Sequence, residues 1–254
     1  MDLTRGILAV LCGSLVGFTL GLIGGGGSIM ATPLLLYVVG LAPHVAIGTG
    51  ALAVSVNAFV NFAGHARAGN VRWRSAIVFA LAGVAGAAIG STLGKSFDGK
   101  RLLSLFALLM IVVGVSMLRR KPVQAAAGVG GDSTPNILKI VATALAVGTV
   151  SGFFGIGGGF LIVPGLLFST GMPMLFAVGS SLLAVGTFGL TTAVNYAMSG
   201  LVDWPVVAEY ICGGIAGGFA GMALAMRLAP RKALLNQVFA GFIFVVAAYM
   251  LYKN

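Results

Sequence analysis

The chain has 254 residues, a formal net charge of +10 and a mean hydropathy of +1.08; 59% of its residues are hydrophobic and only 8% are charged. A soluble domain carries about 25% charged residues, so this composition excludes one. The basic residues fall in short segments between apolar runs, which fits the positive-inside rule of a multi-span membrane protein better than nucleic-acid binding.

In chain order, a first helix is predicted over 7–23. Arg5 ahead of an apolar run could mark a signal peptide. The counterpart of this segment at 138–154 is internal, however, so both are read as membrane helices. The first helix runs into Gly24-Gly25-Gly26-Gly27-Ser28. Each glycine costs a helix about 1 kcal/mol relative to alanine, so the run breaks it. A short apolar piece comes next at 29–40. As a helix it reaches ~18 Å, against a hydrocarbon core of ~30 Å, and it reads as a half-helix returning from a hairpin bend. Spans near 44–63, 75–94 and 102–118 complete this half. Residues 122–136 read as a flexible linker, with Thr134-Pro135 as N-cap and first-turn proline of the next helix. The second half repeats the series: 138–154, a break at Gly155-Ile156-Gly157-Gly158-Gly159, then 160–171, 175–196, 206–225 and 233–251.

The two halves align without gaps at an offset of 131 residues from about Val16 to Leu103. Gly24, Pro33, Gly48, Gly69, Trp73 and Gly90 fall on Gly155, Pro164, Gly179, Gly200, Trp204 and Gly221. Matching both tryptophans of the chain sets this apart from chance overlap of common glycines. The loop 64–74 carries Arg67, Arg72 and Arg74, whereas its equivalent 195–205 has no basic residue and holds Asp203. Equivalent loops of opposite character are what inverted repeats produce. With 64–74 inside, ten of the fifteen basic residues face the cytoplasm and both termini lie outside. The expected fold is therefore an all-α polytopic membrane protein of two inverted repeats, 1–121 and 137–254, joined by the linker 122–136. Each repeat is a glycine-broken helical hairpin plus three transmembrane helices. Gly86-Gly90-Gly94 and Gly213-Gly217-Gly221 read as small-residue packing faces, and Trp73 and Trp204 as interfacial anchors.

Chemistry is sparse. Cys12 and Cys212 lie in apolar runs and read as small buried hydrophobes. No residue group has metal-ligand spacing, and no cofactor or catalytic residue is expected. The glycine runs lack the Lys-Ser/Thr ending of a phosphate-binding P-loop. Paired breaks in two halves of a membrane chain point instead to a transporter's binding site. The amides after each break can bind an anion without a charged side chain, which nominates Gly24, Gly25, Gly26, Gly27 and Ser28, with Gly155, Gly157, Gly158 and Gly159. The alternative is a pair of hairpin turns that are glycine-rich for packing alone. Thr49, Asn57 and Asn61 share one helical face, as do Ser180, Thr187, Thr191 and Asn195. Thr49, Asn57, Ser180 and Ser181 are the candidate substrate donors, with interhelical hydrogen bonding as the other reading. His65 and Glu209 are the weaker candidates for ion coupling.

The sequence from Gly21 to Ser28 with Pro33, and that from Gly152 to Phe160 with Pro164, resemble the two signature regions of the TauE/SafE (sulfite exporter) membrane transporter family. The resemblance covers nearly the whole chain. It implies sulfite, sulfonates or related small anions as substrates, and the bacterial inner membrane as location. Ile156 departs from the all-glycine run of the first copy, so the two breaks need not be equivalent.

Together these readings give a secondary transporter that exports a small anion by alternating access, with that anion and the lipid bilayer as its partners, no nucleic acid, and a homo-oligomer left open. The anion would sit between the two glycine breaks. An anion channel, and further off a membrane-embedded enzyme or anchor subunit, are the rival readings.

Overall fold

The computed structural model describes residues 3–119, 136–155 and 159–227. These form α1 (Leu3–Ile23), a 3-10 segment (Gly24–Met30), α2 (Ala31–Tyr37), α3 (Pro43–Arg67), α4 (Trp73–Ser96), α5 (Gly99–Arg119), α6 (Ile137–Phe154), α7 (Gly159–Thr170), α8 (Met174–Ala197) and α9 (Trp204–Arg227). No strand occurs among the described residues. Six of the helices, α1, α3, α4, α6, α8 and α9, are long and apolar enough to cross a bilayer. This is an all-α membrane protein. The predicted span 233–251 and all but the last residue of the predicted linker lie outside the described residues.

Most boundaries fall within a few residues of the sequence expectation. The start of α6 is one correction: Asn136 is the cap, its side-chain oxygen accepting from the amides of Leu138 and Lys139. A second concerns Cys212, which is exposed, while Cys12 is buried; both are free. Trp73 and Trp204 are the first residues of α4 and α9 and both are exposed.

Two helix pairs are joined through bare backbone. On α1, a Cβ at Gly13, Gly17 or Gly21 would strike the carbonyl of Tyr210, Gly214 or Gly218 on α9. In return, Gly213, Gly217 and Gly221 of α9 meet the carbonyls of Val10, Ser14 and Phe18. Rising numbers on α1 meet rising numbers on α9, so the two run parallel. The pair α4 and α6 repeats this contact: Gly86, Gly90 and Gly94 face Leu145, Thr149 and Phe153, and Gly148 and Gly152 face Gly83 and Ala87. Lipid tails are as apolar as leucine, so close backbone approach is what holds such helices together. Each pair takes one helix from either half of the chain.

α3 and α8 hold the centre. Two-thirds of each span (67%) is buried, against 28–44% for the other four spans. They cross antiparallel: Gly48 lies at Tyr196 and Leu201, Ser55 at Gly186, and His65 at Gly179. Ser55 Oγ donates to the Gly186 carbonyl at 2.6 Å, between residues 131 apart. α3 also packs on α9, and α8 on α4.

Candidate functional site

The glycine run does end α1. Gly24 has φ +73, a left-handed conformation that favours glycine. The chain then forms no open loop but a 3-10 helix through Met30. In such a helix the amides beyond the first turn close bonds to carbonyls three residues back, so the later part of the segment is not a row of free donors, while the first-turn amides, at Gly24 to Gly26, have no partner within it. Ser28 is buried within it. In the second half Gly155 ends α6 with φ +66, its amide bonded to Gly152. Gly157 and Gly158 lie outside the described residues, and Gly159 opens α7.

The two breaks are not neighbours. Gly24 abuts Val178 and Ser181 of α8, whereas Gly155 abuts Ile47 of α3. Val178 and Ile47 lie on opposite sides of the Ser55–Gly186 crossing, eight residues from it along each helix. At 1.5 Å per residue, the breaks stand about 24 Å apart along the helix direction. One sits toward the Arg67 end of α3 and the other toward its Pro43 end.

Thr49 and Ser180 are equivalent residues in matching roles. Thr49 Oγ1 accepts from the Asp203 amide at 2.9 Å, and Ser180 Oγ accepts from the Arg72 amide at 3.0 Å. Each hydroxyl holds the loop ahead of a long helix, α9 or α4. Ser181 Oγ donates to the Val178 carbonyl at 2.8 Å and faces Gly24. Thr187 and Thr191 bond to carbonyls of their own helix. Asn195 donates to Ser91 and Thr92 of α4. Interhelical bonding and local capping therefore account for most of the α8 polar face.

Asn57 is different. It is fully buried, two residues or about 3 Å from the central crossing, and neither its amide nitrogen nor its amide oxygen has a hydrogen-bond partner. It lies against the backbone of Gly214 on α9. One turn on, Asn61 donates to the Asn57 carbonyl at 2.8 Å and faces Gly21 and Gly218. One turn further, His65 is buried, with its ring toward the Gly21 backbone and no well-formed hydrogen bond at either nitrogen. An unpaired buried amide costs about 1–3 kcal/mol, and such a group in a native fold calls for an explanation. The 131-residue counterparts on α8 are Phe188, Thr192 and Tyr196. Phe188 fills the Gly83 position and stacks on Phe79. Thr192 and Tyr196 are fully buried with unpaired hydroxyls, so the amides and the imidazole occupy one side of the crossing and only hydroxyls the other. The apolar run of this span stops short of His65 in the sequence, yet α3 extends to Arg67 and takes the histidine in.

At the Pro43 end, Arg5 pairs with Asp203 at 3.5 Å, and the Glu209 carboxylate lies beside Gly6. A groove of about 460 Å³ between α5 and α6 is lined by residues such as Leu105, Leu109 and Phe153 and includes none of the candidates. Among the described residues no His, Cys, Asp and Glu side chains gather into a metal site.

The sequence profile of the sulfite exporter TauE/SafE family matches residues 9–250. The chain belongs to this family. Its TauE/SafE relatives include a "probable membrane transporter protein" of Xylella fastidiosa strain 9a5c, 54% identical over 98% of this chain and 95% of that one. YunE of Bacillus subtilis, also named a probable membrane transporter protein, is 26% identical over 78% and 80%. MJ0441 of Methanocaldococcus jannaschii, of the same description, is 28% identical over 78% and 71%. No solved structure matches the chain. This TauE/SafE protein is a membrane transporter.

Proposed function

We propose that this TauE/SafE protein exports a small oxyanion, sulfite or a related sulfonate, across the bacterial inner membrane by alternating access between two inverted repeats. The observation that carries the reading is Asn57: a buried amide with both ends unpaired, at the depth where two equivalent helices cross. Transporter sites lie near the midplane at a repeat interface, and a neutral amide offers donors suited to oxyanion oxygens. The inverted arrangement is supported by α3 and α8. Helices of equal rank that meet antiparallel are related by an axis across the helix direction, which is the in-plane axis of an inverted repeat.

Asn61, His65, Ser181 and the Gly24–Ser28 turn then line the way from Asn57 to the basic, cytoplasmic end. The glycine breaks serve as bends at opposite depths rather than as two walls of one site. A cell interior at negative potential favours export of an anion by about 2.3 kcal/mol per charge per 100 mV.

The test is flux of sulfite, sulfate, thiosulfate and short alkanesulfonates from liposomes holding the purified protein. Saturable export with exchange between internal and external anion is expected. Unitary currents would replace this reading with a channel, and absence of flux for every anion would overturn it.

A further inference from the structure

His65 is the most deeply buried basic side chain among the described residues, at 3% exposure, and lining the transport route does not explain why a titratable ring stands there. It stands two helical turns from Asn57 and one from Asn61, about 12 and 6 Å along α3. α1 presents the Gly21 backbone to it, α8 presents Gly179, and the loop after α3 presents Asn70; the neighbouring Gly64 meets Met222 of α9. None of these is titratable. Arg67, Arg72 and Arg74 near this end are exposed, with Arg72 lying over the Phe176 ring at 4.7 Å. Glu209, the acidic residue of α9, lies thirteen residues before Met222, about 20 Å along that helix. No carboxylate pairs with His65 among the described residues. A buried imidazolium needs a counter-charge, and the described residues supply none.

We propose that anion binding in the Asn57–Asn61 column is coupled to uptake of one proton by His65, the bound anion serving as the missing counter-ion. This rests on the functional reading above and adds a regulation to it. The proton comes from solvent at the basic end and adds to the free ring nitrogen of the neutral imidazole; no bond breaks in the anion. Coupling of this kind is reciprocal: the anion favours the proton as much as the proton favours the anion. The neutral ring leaves the column uncharged when empty. The second half has Tyr196 at the equivalent position, which cannot carry a positive charge, so the device is confined to the cytoplasmic side.

The experiment is calorimetric titration of the purified full-length protein with thiosulfate and with methanesulfonate, whose charges stay fixed between about pH 6 and 8, the range in which histidine titrates. Each titration is run in two buffers of different protonation enthalpy. The expected result is net proton uptake on binding and an affinity that falls several-fold per pH unit. In His65→Gln, affinity at pH 6 falls to about the wild-type value at pH 8, uptake vanishes and the pH profile flattens. Wild-type binding with no buffer-dependent heat and a flat profile overturns the coupling alone, without need of the variant. Unchanged proton uptake in His65→Gln overturns it as well. Failure of both probes to bind at any pH overturns the functional reading and the coupling with it.

Discussion

Ser55 and Gly186 hold the same place in the two halves of the chain, 131 residues apart, and they touch: the serine hydroxyl donates to the glycine carbonyl at 2.6 Å. A residue that meets its own counterpart is what the proposed twofold arrangement requires at its centre. Ser55→Ala removes that bond at about 1 kcal/mol and should lower the melting temperature of the detergent-solubilised protein by about 2–4 °C. Gly186→Leu, whose Cβ would meet the Phe59 ring at 2.7 Å, should be far worse.

Asn57→Leu separates function from stability. Leucine has similar volume and no unpaired amide, so folding stability should hold or rise by about 1 kcal/mol. Anion flux in liposomes should fall at least tenfold. A variant that melts higher and transports normally would show that the amide is not a substrate ligand.

Thr49→Val and Ser180→Ala probe the loop clamps. Each leaves the amide of Asp203 or Arg72 without its acceptor, at a cost of about 1–3 kcal/mol. Thermal unfolding should register both losses, while the anion affinity of the folded fraction stays within about twofold of wild type, as for a site centred elsewhere.

Gly17→Val should block assembly of α1 against α9, because its Cβ collides with the Gly214 carbonyl and a backbone cannot move aside. Gly40→Ala has open space around it but φ +79, so it should cost only the left-handed strain of about 1–2 kcal/mol. Size-exclusion profiles should show aggregation for the first and a monodisperse peak for the second.

Much of this architecture is legible from residue order alone, because lipid permits few solutions and the 131-residue offset displays them twice. The glycine faces of α4 and α9 are evident from spacing, and their partners emerge once α6 and α1 are seen. The depth of the breaks is not evident. Gly24 and Gly155 look equivalent in sequence, yet one abuts Val178 of α8 and the other Ile47 of α3, on opposite sides of the Ser55–Gly186 crossing; which neighbour a break meets is tertiary information that spacing does not carry. The roles of Thr49 and Ser180 are hidden for another reason: their partners, Asp203 and Arg72, lie in the opposite half of the chain. Asn57 stands out in the sequence as a polar residue in a span. His65 needs the last turn of α3, which an apolar window stops short of counting.

The exchange of partners between halves also governs how the protein can be made. α4 meets α6 soon after both have left the ribosome. α1 must wait for α9, some 180 residues later, on the order of 10–40 s at ordinary synthesis rates. Until then its glycine stripe can be covered only by lipid or by an insertion factor. Neither half should therefore fold to completion alone. Two polypeptides cut between α5 and α6 would each display two orphan stripes, on α1 and α4 or on α6 and α9, that only the other could close, so the divided gene should yield a working protein when both pieces are synthesised together and nothing from either one alone.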